Sequence, residues 1–64
     1  MTDQLIPWDI DAQVKCIERE IRMREYVYPH RVALKKMGQE LADREISMMK
    51  AVLESLLRLK GLET

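Results

Sequence analysis

Apolar side chains recur along residues 10–36 at alternating spacings of three and four, a pattern typical of one face of an amphipathic helix. Arg24 interrupts this stripe, and Pro29 lies inside it. Because proline lacks an amide donor and collides with the carbonyl four residues earlier, we expect a kink at Pro29. A true break at Tyr28, followed by a short middle helix, is the alternative. The stripe consists of Ile10, Val14, Ile17, Ile21 and Tyr28.

A second and wider stripe covers residues 39–60 and predicts a second helix, about 33 Å long at about 1.5 Å per residue. Gly38 lies between the two stripes, and the lysines shortly before it suit the C-terminus of the first helix. Gly61 is placed to end the second helix. The second stripe consists of Ala42, Ile46, Met49, Leu53 and Leu56, and it is broadened by Leu41, Met48, Val52, Leu57 and Leu59.

The chain before the first helix, residues 1–9, shows no helical periodicity and contains Pro7, so we expect an extended leader. Asp9 or Asp11 can cap the first helix by accepting hydrogen bonds from its free amides. Trp8 is expected to pack on the first turn, with a partner-binding anchor as the alternative. The leader lacks the basic start and apolar run of a secretory signal.

These elements predict an all-α fold, a single domain over residues 1–64 built as an antiparallel two-helix hairpin. A chain of this length buries only about 60% of the surface that its unfolded form exposes, so its core needs support. The single cysteine, Cys16, excludes an intramolecular disulfide, and Cys16 with His30 falls short of the ligand set of a zinc site. Self-association is the remaining source of support.

The apolar surface near the end of the second helix is too wide for one facing helix to cover. A second copy is the economical source of cover, and it would complete a four-helix bundle with coiled-coil-like packing. We therefore expect a homodimer. Self-association is predicted to use Ile17, Ile21, Tyr28, Ile46, Met49, Leu53 and Leu56.

Eleven basic residues balance eleven acidic residues, which is not the strongly cationic composition of a nucleic-acid coating protein. Within residues 10–36, seven basic against four acidic side chains leave a net charge of +3. Basic and aromatic side chains near Pro29 suit binding to an acidic protein surface, with nucleic acid as the alternative and a solvated helix face as the simplest explanation. These candidate partner-binding residues are Arg22, Arg24, Tyr26, His30, Arg31, Lys35 and Lys36.

The sequence contains no glycine-rich phosphate loop, no His-Glu-x-x-His spacing and no serine nucleophile motif. Cys16 and His30 are about four helical turns apart and cannot meet within one straight helix. A two-helix hairpin is also expected to offer no concave site of ligand size. We expect no enzymatic activity, cofactor or metal. Every apolar run is far shorter than the about 20 residues of a membrane span, so the expected location is the cytoplasm.

Residues 14–53 contain a set of short motifs: CIEREIRMR at 16–24, VYP at 27–29, KM at 36–37, and then Ala42, Glu45, Ile46 and Met49. In these motifs the chain resembles a group of small uncharacterised proteins encoded by bacteriophages and prophages. A serine or threonine helix cap is usual where Gly38 stands, and glycine weakens that cap without abolishing it. The resemblance implies a phage accessory protein in the host cytoplasm that binds a host or phage macromolecule. It implies no catalytic role for any residue.

Overall fold

The computed structural model describes residues 8–63, and this part of the chain forms two helices, α1 (Ile10–Ala33) and α2 (Gln39–Glu63). They pack against each other as the predicted hairpin. Two ion pairs join the helices in antiparallel order: the Asp11 carboxylate lies 2.7 Å from the Lys60 ammonium, and Glu25 lies 3.0 Å from Lys50. Most of the predicted leader, residues 1–7, lies outside the described residues.

Of the two candidate caps for α1, the structure uses Asp9. Its carboxylate accepts a hydrogen bond from the Ala12 amide at 2.8 Å, and its carbonyl accepts from the Gln13 amide at 3.1 Å. The Gln13 side chain donates to the Trp8 carbonyl at 3.0 Å. The Trp8 side chain is 69% exposed, so it does not close over the first turn as expected. A polar side chain occupies the position where an apolar staple partner would stand.

The first helix ends at Ala33, three residues before the predicted end at Lys36. The Lys35 amide bonds to the Val32 carbonyl and the Lys36 amide to the Arg31 carbonyl, the hydrogen-bond pair of a Schellman motif. Lys35 supplies the left-handed residue of this motif, with φ of 60°. Glycine is the usual residue at this position, so the sequence favours Gly38, rather than Lys35, as the left-handed residue after α1.

Gly38 precedes α2, and its carbonyl accepts the first helical hydrogen bond from the Ala42 amide at 3.0 Å. The second helix ends at Glu63 rather than at Lys60. Gly61 does not stop it, because a glycine ends a helix by adopting the left-handed conformation and no described glycine has a positive φ.

Pro29 lies within α1, which continues past it to Ala33 as one helix. The alternative with a break at Tyr28 and a separate middle helix is therefore wrong. The proline removes one helical hydrogen bond, the one that an amide at position 29 would donate to the Glu25 carbonyl, and α1 continues for four residues beyond it.

The interface between the helices is thin. Within residues 8–62, the buried side chains are Val14, Ile21 and Ala42, which are 8%, 7% and 2% exposed. The residues predicted for self-association lie on the same sides of the helices as these three, because they follow them along the chain at spacings of three, four or seven residues. Apart from Ile21, which is buried, they are half-buried. The hairpin's own interface thus uses Ile17, Ile21, Tyr28, Ile46, Met49, Leu53 and Leu56.

Candidate interaction surface

The second helix carries two parallel apolar rows. The inner seam, which faces α1, consists of Ala42, Ile46, Met49, Leu53 and Leu56. The outer seam lies about 100° around the helix from the inner seam, because each of its first five positions stands one residue before an inner-seam position. A sixth position, Leu59, follows at the C-terminal end. Its apolar members are 44–52% exposed. The outer seam consists of Leu41, Glu45, Met48, Val52, Ser55 and Leu59.

The outer seam and part of α1 lie on the same side of the hairpin. A groove of about 540 Å³ runs between the helices there, and both Cys16 and Val52 line it. Met23 lies two turns after Cys16 and is 52% exposed, so it extends the same side of α1. We call this surface the apolar face; it comprises Ala12, Cys16 and Met23 of α1 together with the outer seam, and the Glu20–Arg24 ion pair lies between Cys16 and Met23 on the same side.

The groove contradicts the expectation that a two-helix hairpin has no concave site of ligand size, since about 540 Å³ lies within the usual range. It arises because small side chains, Ala12 and Cys16, stand opposite Val52 and Leu56. Trp8 borders one end of the groove and Arg19 lies at its edge. The lining is mostly apolar, which suits an apolar side chain better than a polar ligand.

The opposite side of the hairpin, the polar face, has a different character. Glu25, Asp43, Ser47 and Lys50 line a shallower depression there, and the Glu25–Lys50 ion pair crosses it. Leu57 lies two turns after Lys50 on this side and is 47% exposed. Leu57 and Leu59 are thus equally exposed leucines on opposite faces.

The predicted partner-binding residues do not form one continuous surface. Arg22 and Arg31 are nine residues apart in a continuous helix, which places them about half a turn apart around its axis. Arg24 bonds to the carboxylate of Glu20, as the i, i+4 spacing predicts. The remaining members are exposed, and they are Tyr26, His30, Lys35 and Lys36.

Two ion pairs shift pKa values in the directions their geometry requires. The hydrogen bond from Lys60 lowers the pKa of Asp11 below its ordinary value of 3.8, and the same bond raises the pKa of Lys60 above 10.5. The hydrogen bond with the Glu20 carboxylate, followed by a smaller contribution from the Tyr28 side chain, raises the pKa of Arg24. Among the described residues, Glu18 forms no ion pair with Arg22, although the spacing is the same as for Glu20 and Arg24.

Within the described part of the chain, the Cys16 thiol and the His30 imidazole are too far apart to act together. Cys16 is exposed, and His30 stands fourteen residues further along the continuous helix, about 21 Å away along its axis. Within residues 8–63, no three histidine, cysteine, aspartate or glutamate residues are grouped so as to hold a metal ion. Neither described helix is long and apolar enough to cross a membrane.

Comparisons of the chain with known protein families, with curated proteins and with solved structures found no match. The apolar face therefore has to be interpreted from its own residues. The sequence contained the signal for it, because Leu41, Met48, Val52 and Leu59 recur at intervals of seven, four and seven. Without the position of α1, however, these residues only broaden the single stripe of α2.

Proposed function

We propose that this protein is a non-catalytic helical interaction protein whose apolar face binds a second copy of the chain, and that the resulting dimer is a four-helix bundle. The observation that supports this proposal is the grouping of exposed apolar side chains on one side of the hairpin. Exposed apolar residues that are scattered singly need no explanation, whereas a contiguous patch indicates a binding surface.

The size of the apolar face fits this role. Its length is that of a 24-residue helix, about 36 Å, and two packed helices are about 20 Å wide. The resulting area of about 700 Å² is close to the about 800 Å² that each partner buries in a standard protein interface. The thin hairpin interface gives the second reason, because two helices with three buried side chains need further apolar contacts to be stable.

Two further features belong to the proposal. Pro29 bends the last turns of α1, because its ring displaces the Glu25 carbonyl, and the bend lets α1 follow the bundle. We further propose that the dimer binds a host or phage macromolecule, which is what the resemblance of residues 14–53 to phage and prophage proteins implies. The exposed basic residues around Arg31 suit an acidic protein surface as that target.

Leu59→Lys and Leu57→Lys provide a matched test, since both replace a half-exposed leucine of α2. In the proposed dimer only Leu59 becomes buried. Covering its exposed half gains about 1 kcal/mol per copy, and both copies change at once. The dissociation constant of the dimer should therefore rise about thirtyfold or more for Leu59→Lys. Leu57→Lys should leave it within about threefold.

Sedimentation velocity over a concentration series measures both constants, and circular dichroism checks that both variants remain helical. Equal weakening by the two substitutions would contradict the assignment to the apolar face. A wild-type chain that is folded and monomeric at micromolar concentration would contradict the proposal of self-association itself.

A further inference from the structure

We propose that the second copy lies antiparallel, with α2 against α2 of the partner, about a two-fold axis that passes near residue 50. This inference rests on the proposed function, and it adds the orientation of the copies and the contacts of the interface. The connections between α1 and α2 would then lie at opposite ends of the bundle.

The outer seam has the symmetry that this axis requires. Counted from residue 50, its six positions form three pairs of matching character at equal distances in the two directions. Leu41 pairs with Leu59, Met48 with Val52, and Glu45 with Ser55. A two-fold axis perpendicular to an antiparallel helix pair brings such positions together across the interface.

Each of these pairs is chemically compatible. The leucine pair and the methionine–valine pair cover side chains that the single hairpin leaves about half exposed. The Ser55 hydroxyl can donate a hydrogen bond to the Glu45 carboxylate, so the polar pair, which lies between the two apolar pairs along the seam, is partnered across the interface. A parallel arrangement would instead place Glu45 against its own copy, with like charges in contact.

The same axis also suits the first helix. The pairs Glu25–Lys50 and Asp11–Lys60 set residue 50 of α2 level with residues 21–25 of α1. Met23 is at the middle of that range and is exposed on the apolar face. The axis therefore brings Met23 against Met23 of the second copy, and a flexible thioether fills such a self-contact well.

Single-cysteine variants on a Cys16→Ser background test the orientation. Leu41→Cys and Leu59→Cys, mixed and oxidised, should form a cross-linked heterodimer. Neither should cross-link to itself, because the two copies of residue 41 are eighteen residues apart along the bundle, about 27 Å. A disulfide needs Cα atoms within about 7 Å. Self-cross-linking of Leu41→Cys would show a parallel dimer and overturn the inference.

Ser55→Lys and Ser55→Glu give a second readout without cross-linking. Lysine at position 55 attracts Glu45 of the other copy and glutamate repels it, so the lysine dimer should be about tenfold tighter. The effect on the stability of α2 itself has the opposite sign, because Arg58, three residues after position 55, attracts glutamate and repels lysine. The expected order therefore reports the contact between copies, and the reverse order would overturn it.

The two proposals fail in distinguishable ways. If the wild type is a dimer but Leu41→Cys and Leu59→Cys do not cross-link in the mixture, the orientation is wrong and self-association stands. If Leu41→Cys instead cross-links to Leu34→Cys of the other copy, the α1–α2 connections of both copies lie at the same end of the bundle. If the wild type sediments as a folded monomer, the proposed function itself fails.

Discussion

Replacing Lys35 by glycine should stabilise the hairpin, although the substitution removes a side chain. Lys35 holds the left-handed conformation that ends α1, with φ of 60°. This conformation costs a non-glycine residue about 1–2 kcal/mol, and glycine adopts it freely. Glycine also has more conformational freedom in the unfolded chain, and this opposes the stabilisation by about 0.5–1 kcal/mol. The free energy of unfolding should therefore increase by about 0.5–1 kcal/mol per chain.

Urea unfolding followed by circular dichroism at a fixed protein concentration measures this change. Lys36→Gly is the matched control, since Lys36 is also exposed and has no positive φ. It should lower the free energy of unfolding by up to about 1 kcal/mol, because only the unfolded chain gains freedom. Equal destabilisation by both substitutions would refute the Schellman end of α1.

Three further predictions follow from the helices and their ion pairs. Pro29→Ala restores an amide donor to the Glu25 carbonyl and should raise the free energy of unfolding by about 1–3 kcal/mol; a decrease would show that the proline is required for packing. The pKa of Asp11, measured by NMR titration, should lie below 3.8 and return toward it in Lys60→Met. Because the folded pKa is lowered, Asp11→Asn should destabilise the protein near neutral pH, and the difference should disappear as the pH falls below 3.8. Labelled DNA should not be retained even at about 50 mM salt; retention that falls by orders of magnitude toward about 200 mM would favour the nucleic-acid alternative.

The sequence predicts the hairpin well because its signals are local and periodic. Apolar spacings of three and four locate both helices, and they narrow the cap of the first helix to Asp9 or Asp11, of which the structure uses Asp9. Glu20 and Arg24 meet at the i, i+4 spacing, whereas Glu18 and Arg22, at the same spacing, form no ion pair among the described residues. In each case the residues involved lie within one or two turns of each other, so no knowledge of the partner helix is needed.

The helix ends could not be predicted in the same way. Lys35 adopts a conformation for which glycine is the usual residue, and Gly61 does not adopt it. Neither outcome follows the usual preference of glycine for the left-handed position after a helix. Lys60 in the last turn of α2 also pairs with Asp11 in the first turn of α1, a contact between the helices that the sequence of α2 alone does not reveal.

The division of α2 into an inner and an outer seam also required the structure. All its apolar positions fall within one broad stripe in the sequence, and only the position of α1 separates Leu56, which it partly covers, from Leu59, which it does not. The residues predicted for self-association belong to the covered side. The surface proposed for the second copy is the neighbouring side, which the first helix leaves exposed.

The most direct measurement is the mass of the wild-type chain by sedimentation equilibrium at micromolar concentration. We predict a helical species with twice the chain mass of 7.6 kDa, which dissociates only on dilution or when charged side chains are introduced into the outer seam. A species of one chain mass with full helical content would show that the apolar face remains uncovered, and it would contradict the account.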